Sequence, residues 1–71
     1  MDKQIRLKFA SHLRKLREKA GLTQEELAGR ADVATRHIQR LESKSPAPAK
    51  IDTLVKLAKG LGVRPAKLLE F

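Results

Sequence analysis

A row of polar side chains at helical spacing is the part of this sequence best suited to recognising another molecule. The row consists of Thr35, Arg36, His37, Gln39 and Arg40. An arginine presents a planar fork of N–H donors that matches the paired acceptors on the edge of guanine, and a threonine methyl can pack against a thymine methyl. The row contains no acid. This chemistry favours a ligand that is rich in hydrogen-bond acceptors and negative charge.

The apolar residues around the row predict two short helices joined by a tight turn, over residues 24–42. Leu27, Ala28 and Ala31 give the first of these helices one apolar face. Ile38 and Leu41, three residues apart, give the second helix the matching face. With those faces packed together, the polar row points outward. A short helix pair that presents such a row is the arrangement of a DNA-reading helix-turn-helix.

The ends of these two helices carry their own signals. Thr23 and Glu26 have the spacing of a capping box, in which each side chain bonds the other residue's backbone N–H. Asp32 stands at the turn and is one of the few non-glycine residues that tolerates a left-handed backbone. Ala34 caps a helix poorly, so we expect Thr35 to take over as the cap and shift the next helix by one residue.

Three further helices are predicted outside this pair, giving an all-α fold of five short helices and a single domain over residues 1–71. The first covers residues 5–20 and stops at Gly21, with residues 1–4 expected to be frayed. The fourth ends at Gly62, and Pro65 suits the first turn of a fifth that runs to the C-terminus. The residues expected to face the core are Ile5, Phe9, Leu13 and Leu16 in the first helix and Ile51, Leu54, Leu57, Ala58 and Leu61 in the fourth.

Composition narrows the function further. Sixteen Lys and Arg against eight Asp and Glu give a net charge of +8, which favours a polyanion, although a merely soluble surface explains the charge equally well. The absence of Cys excludes disulfides and fits a reducing cytoplasm. With two Phe and no Tyr or Trp, single-strand binding by stacking is disfavoured. We find no catalytic motif, metal-ligand pattern, cofactor motif, signal peptide or membrane span.

Three segments in order, LRKLREKAGLTQEELA, IQRLE and LVKLAKGLGV, resemble the phage-repressor and Cro type of helix-turn-helix, the xenobiotic-response-element family of bacterial regulators. The resemblance covers roughly residues 9–69 and implies a lambda-repressor-like domain. It also implies a sequence-specific regulator of transcription, a repressor or autoregulator, whose third helix enters the major groove of double-stranded DNA. Three features depart from the family pattern, namely Ala34 where Ser or Thr is usual, Lys44 where Gly is common, and a loop one residue longer.

Roles for individual residues follow partly from the resemblance. It implies base contacts by Thr35, Arg36 and Arg40, and a partly buried ion pair between Arg17 and Glu42 that holds the third helix at its angle. Contacts to the DNA backbone are expected from Gln24, His37, Gln39, Ser43, Lys44 and Lys50. Basic residues of the first helix that lie off its apolar stripe can also approach phosphates; these are Lys3, Arg6, Lys8, Arg14, Lys15 and Lys19.

A chain of this size buries little surface on DNA, so a homodimer on an inverted repeat is expected. Pro65, Leu69 and Phe71 form the candidate dimer patch, because Leu68 and Leu69 cannot both point inward. Two other functions stay open. The chain could be a protein-interaction module of the same fold, with an antitoxin-like or transcription-machinery partner, or a non-specific nucleoid binder. The first would expose apolar anchors on the third helix, and the second would bind DNA without sequence preference.

Overall fold

The computed structural model describes residues 2–71, and these form four α-helices and a C-terminal 3₁₀ helix with no strand. The all-α prediction is confirmed, but the fifth element is a 3₁₀ helix that stops before the last two residues. The elements are α1 (Lys3–Lys19), α2 (Gln24–Ala31), α3 (Thr35–Leu41), α4 (Ile51–Leu61) and the 3₁₀ helix (Pro65–Leu69).

Every element contributes at least one large apolar side chain to a shared core. Full burial of such a side chain contributes about 1.5–3 kcal/mol, so a small domain depends on each of them. Both α1 and α3 supply two of these side chains, whereas α2, α4 and the 3₁₀ helix supply one each. The largest fully buried side chains are Phe9, Leu13, Leu27, Ile38, Leu41, Leu57 and Leu68.

The two ends of α1 are set by local hydrogen bonds and backbone conformation. The Asp2 carboxylate accepts a hydrogen bond from the Ile5 amide at 2.8 Å, which makes Asp2 the N-cap. The predicted fraying is therefore wrong for residues 2–4, because the Asp2 cap holds the first turn of α1. Met1 lies outside the described residues. At the other end Gly21 adopts a positive φ of 74°, the conformation that ends helices after their last turn.

The turn between α2 and α3 follows the sequence prediction at one end and departs from it at the other. Both bonds of the Thr23–Glu26 capping box are present, and Asp32 is left-handed at φ 57° and ψ 47°. Thr35, however, is the first residue of α3 and caps nothing, so that prediction is wrong. Ala34 stays extended at the N-cap position without a side-chain bond, and its carbonyl already accepts the His37 amide at 2.9 Å.

Two predicted core residues are exposed. Ile5 lies in the first turn of α1, where it is only half covered. Ile51 is 77% exposed, because it is the first residue of α4 and the helix packs through a neighbouring face. That face includes Gly60, where an added Cβ would lie 3.0 Å from the Ala31 backbone nitrogen. Helix α4 thus packs closely on α2 through the face that contains Gly60, and Ile51 points away from the core.

Candidate nucleic-acid interface

Helix α3 combines a fully buried inner face with an accessible outer face. Ile38 and Leu41 are completely buried, so α3 is fixed from below. On the outside Arg36, Gln39 and Arg40 are exposed, and Thr35 and His37 are half-buried. Within the described part of the chain, no ion pair uses Arg36 or Arg40. Both guanidinium groups therefore keep their N–H donors for a ligand.

The residue that follows α3, Glu42, is the buried centre of a polar network. Its side chain is 0% exposed and that of Arg17 is 13% exposed. The Arg17 Nε donates to Glu42 Oε2 at 2.8 Å, and Nη2 donates to Oε1 at 2.9 Å. The remaining terminal nitrogen, Nη1, donates to the Leu22 carbonyl at 2.8 Å. This bidentate geometry is the strong form of an Arg–carboxylate contact, and it ties α1 to the end of α3.

Two more side chains converge on Glu42. Gln24, at the start of α2, donates its Nε2 to Glu42 Oε1 at 3.1 Å. Arg14, one turn before Arg17, donates to the Glu42 carbonyl at 3.2 Å. The pKa of Arg17 lies above its ordinary value, because the hydrogen-bonded Glu42 carboxylate favours the guanidinium cation more than partial burial disfavours it. Helices α1 and α2 thus both hold the end of α3.

The network shows how Gln24 can brace the end of α3, a role that the family resemblance implies beside its contact to phosphate. Its amide is turned toward Glu42, which leaves its second N–H and its oxygen for an external group. Sequence reasoning placed Arg14 only among the basic residues that can approach phosphates, and it did not predict the bond to the Glu42 carbonyl. Its helical spacing of three from Arg17 was the available signal, since residues at i and i+3 share one helix face.

The loop after α3 folds back onto the end of that helix. Ser43 donates its hydroxyl to the Arg40 carbonyl at 2.8 Å, and the Ala47 amide approaches the same oxygen at 3.4 Å. Orphan carbonyls at a helix end need such partners. Lys44 and Lys50 are exposed on this loop. The structure therefore leaves both lysines accessible, whereas the Ser43 hydroxyl proton is already used within the protein.

The residues of the predicted dimer patch differ in their surroundings: Pro65 and Leu69 are exposed to solvent, whereas Phe71 lies partly against α1. Leu68 is buried while Leu69 is 55% exposed, which confirms that only one of the pair points inward. Pro65 is also exposed. Phe71 is 48% exposed and lies against the His12 ring of α1, with centroids 5.8 Å apart.

Helix α4 carries a second exposed apolar strip that sequence reasoning missed. Ile51 and Val55, one turn apart, are both at least half exposed. Helical periodicity predicted that Ile51 belongs to the apolar face of α4 and is buried. The neighbouring helices cover only part of that face, so Ile51 remains exposed.

Among residues 2–71, no cluster of three or more His, Cys, Asp or Glu side chains is arranged to hold a metal ion. Within the same residues, no helix has the length and apolar character needed to cross a membrane.

Comparison with known proteins agrees with this geometry. The sequence profile described as helix-turn-helix matches residues 13–68. The control protein C.BamHI of Bacillus amyloliquefaciens is 35% identical over 72 aligned positions, which cover all of this chain and 88% of that protein.

Three solved structures share the fold and part of the sequence. The restriction–modification controller protein C.AhdI of Aeromonas hydrophila superposes with a TM-score of 0.83 at 30% identity, over 89% of this chain and 94% of that one. A point mutant of the restriction–modification controller protein C.Esp1396I gives 0.87 at 28% identity, over 99% and 87%. A hypothetical transcription factor from Neisseria, NHTF, gives 0.83 at 30% identity, over 97% and 79%.

Proposed function

The chain belongs to the helix-turn-helix family of Cro and phage-repressor type, and from that membership we propose that it is a restriction–modification controller. The family consists of DNA-binding regulators of transcription. The finer assignment is supported by the similarity to two restriction–modification controller proteins of known structure and to one control protein. In this proposal the protein acts in the cytoplasm as a repressor or autoregulator.

The proposed recognition surface is the outer face of α3, inserted in the major groove. One observation carries the proposal, namely that Arg36 and Arg40 are exposed and belong to none of the ion pairs of the described residues. Each can donate two parallel hydrogen bonds to guanine O6 and N7, and each such contact discriminates against the wrong base by about 1–3 kcal/mol. Thr35, at the first position of α3, supplies a methyl for a thymine.

Contacts to phosphates would set the register of α3 on the duplex without reading sequence. Gln24 suits this role through its free amide N–H at the start of α2, where unpaired backbone N–H groups favour an anion. Lys44 and Lys50 flank α3 on the exposed loop, and His37 and Gln39 border its outer face. Ser43 contributes only by exchanging its bond to Arg40 for one to a phosphate.

A homodimer on an inverted repeat completes the proposal, with half-sites about 34 Å apart. Two copies double the number of base contacts that one short helix provides. Pro65, Leu69 and Phe71 are the proposed dimer patch, and Leu69 is its most exposed large side chain. The strip of Ile51 and Val55 on α4 is the other exposed apolar surface of comparable size. Replacing Leu69 by Lys should therefore break the dimer, whereas Ile51→Lys should leave it intact.

The test is selection of bound sequences from a randomised duplex library, followed by salt titrations on the selected and a scrambled duplex. We expect a palindromic consensus that binds at least ~10³-fold tighter than the scrambled duplex. Arg36→Ala and Arg40→Ala should each lose preference at single base positions. Arg64→Ala, which removes the same charge outside the helix-turn-helix, should keep the preference.

The rival functions predict different results. A nucleoid binder would show equal affinity and equal salt slope on both duplexes. A protein-interaction module would bind neither duplex with useful affinity, yet the outer face of α3 offers none of the apolar anchors that a protein partner needs. Either result would contradict the proposal.

A further inference from the structure

A small basic notch lies beside the helix-turn-helix, between the first turns of α1 and the loop after α3. It is an open hollow of about 210 Å³, lined by Lys3, Arg6, Ser45 and Pro46. Pro46 is buried and forms a rigid wall. The other three residues supply an ammonium, a guanidinium and a hydroxyl. The polar side-chain groups of the notch are therefore two positively charged donors and a rotatable O–H, which are groups that bind a phosphate. The rest of its lining is apolar.

Arg6 has the feature that distinguishes this notch from an ordinary solvated charge. Its Nε is buried and has no hydrogen-bond partner within the described residues. Buried donors are almost always paired, so an unpaired one needs an explanation. The two other arginines on this side of α1 differ, since Arg14 and Arg17 both donate to Glu42. Of these three arginines, only Arg6 forms no ion pair within the described residues. Its Nε is closed off from solvent, so an acceptor from outside the chain would bond the terminal nitrogens of the guanidinium.

The position of the notch connects it to the proposed DNA surface. A neighbouring hollow is lined by Ala10, Arg14, Glu42 and Ser43, so α1 and the loop run side by side from the end of α3 to Pro46. Arg6 and Arg14 are two helical turns apart, about 12 Å along the axis of α1. A phosphate in the notch is therefore different from any phosphate that contacts the residues around Glu42.

We propose that Lys3, Arg6 and Ser45 bind one phosphate of the DNA backbone, outside the stretch that α3 reads. The proposal rests on the proposed function, in which the α3 face binds duplex DNA. Arg6 donates through its guanidinium, Lys3 through its ammonium and Ser45 through its hydroxyl. No contact to a base is involved. The notch adds affinity that is independent of sequence and lengthens the footprint on the flank of each half-site.

The test compares Arg6→Gln with the wild type in salt titrations on the selected duplex and on a scrambled duplex. Losing one phosphate contact should lower the salt slope by about 0.9 and the affinity about tenfold, equally on both duplexes. A selected duplex that is shortened at both ends, so that it lacks the flanking phosphates, should remove the difference. Arg64→Gln is the charge-matched control, because Arg64 is exposed and lies outside both α1 and the helix-turn-helix.

Further variants keep the test decisive if Arg6→Gln misfolds. Lys3 and Ser45 are exposed, so Lys3→Gln and Ser45→Ala should fold and should each weaken binding in the same manner. Ethylation interference on the wild type should show one phosphate whose modification blocks binding and becomes harmless with Arg6→Gln. Folding of Arg6→Gln itself is checked by its thermal midpoint, which should not fall, because the substitution removes an unpaired buried donor.

The possible outcomes distinguish a failure of the notch proposal from a failure of the proposed function. If Arg6→Gln, Lys3→Gln and Ser45→Ala all keep the wild-type slope and affinity, the notch proposal is wrong while sequence preference still stands. A second outcome is that the wild type shows no sequence preference while Arg6→Gln lowers the salt slope on every duplex. In that case the notch binds phosphate, and the proposed sequence-specific function is wrong. If the wild type binds no DNA, both proposals fail.

Discussion

The two helices of the helix-turn-helix are held in place by different means. Helix α2 has a capping box at one end and a left-handed Asp32 at the other. Helix α3 has no side-chain cap at its N-terminus and only seven residues. It is instead held by the burial of Ile38 and Leu41 and by the contacts of Arg17 to Glu42. The comparison teaches that α3 is positioned by tertiary contacts, and that Arg36 and Arg40 on its outer face take no part in the ion pairs of the described residues.

The largest effect is expected where the tertiary support of α3 is removed. Glu42→Ala leaves Arg17 partly buried without its carboxylate and should destabilise the fold by about 3 kcal/mol, at the lower end for a broken buried pair because Arg17 keeps its bond to the Leu22 carbonyl. Urea unfolding measures this loss. The double variant Arg17→Met with Glu42→Met should recover part of it. An unchanged stability of Glu42→Ala would contradict the network as the support of α3.

The next largest effect on stability is expected where the close packing between α2 and α4 is disturbed. Gly60→Ala places a Cβ 3.0–3.2 Å from Ala31 backbone and side-chain atoms, and such overpacking costs about 1–3 kcal/mol against a gain of up to about 1 kcal/mol in helix propensity. Gly29→Ala is the matched control, since nothing lies within 4 Å of its Cβ, and it should stabilise by about 0.5–1 kcal/mol. Thermal unfolding of both variants should show shifts of opposite sign. Equal shifts would contradict the close packing.

Exchanging the capping properties of the two helices sharpens the comparison. Thr23→Ala removes the cap of α2 and should cost about 1 kcal/mol. Ala34→Ser supplies α3 with the cap that it lacks, at a backbone already extended with φ −70° and ψ 142°, and should gain about 0.5–1 kcal/mol. Denaturant midpoints test both changes. No gain from Ala34→Ser would show that the N-terminus of α3 is already satisfied in another way.

The smallest effect is a pH dependence confined to α2. The Thr23 backbone N–H and hydroxyl hold the pKa of Glu26 below its ordinary value of 4.5. The folded pKa lies below the unfolded one, so the stabilisation is complete above about pH 4.5 and is lost as the pH falls through the lowered value. The stability difference between wild type and Glu26→Gln should therefore shrink below this pH. A constant difference down to pH 3 would contradict a role for the Glu26 charge.

Local chemistry made much of the fold predictable. The Thr23–Glu26 box, the left-handed Asp32 and the stop at Gly21 each depend on residues adjacent in sequence, and all three are present. The spacing of Phe9 and Leu13 likewise predicted their burial. Ile51 shows the limit of this method. The spacing of apolar residues predicts which face of a helix is buried, but it does not predict how much of that face the neighbouring helices will cover.

The candidate site was predictable in its residues and, through the resemblance, in the contact of Arg17 with Glu42, but not in the other contacts of Glu42. Arg36 and Arg40 follow from residue type and helical phase. The bond from Gln24 to Glu42 and the contact of Arg14 with the Glu42 carbonyl depend on how three helices meet. The unpaired Nε of Arg6 likewise results from where the loop after α3 lies against α1. Such features need tertiary structure, which no single segment encodes.

The central claim is that the outer side chains of α3 read DNA while others hold the helix in place. The most direct test measures Arg36→Ala and Arg40→Ala twice, once for urea unfolding and once for binding to a panel of duplexes with single base-pair changes. We expect stability within about 0.5 kcal/mol of wild type and a loss of about 1–3 kcal/mol of discrimination at one base pair for each variant. Uniform weakening on every duplex, or a large loss of stability, would contradict the claim.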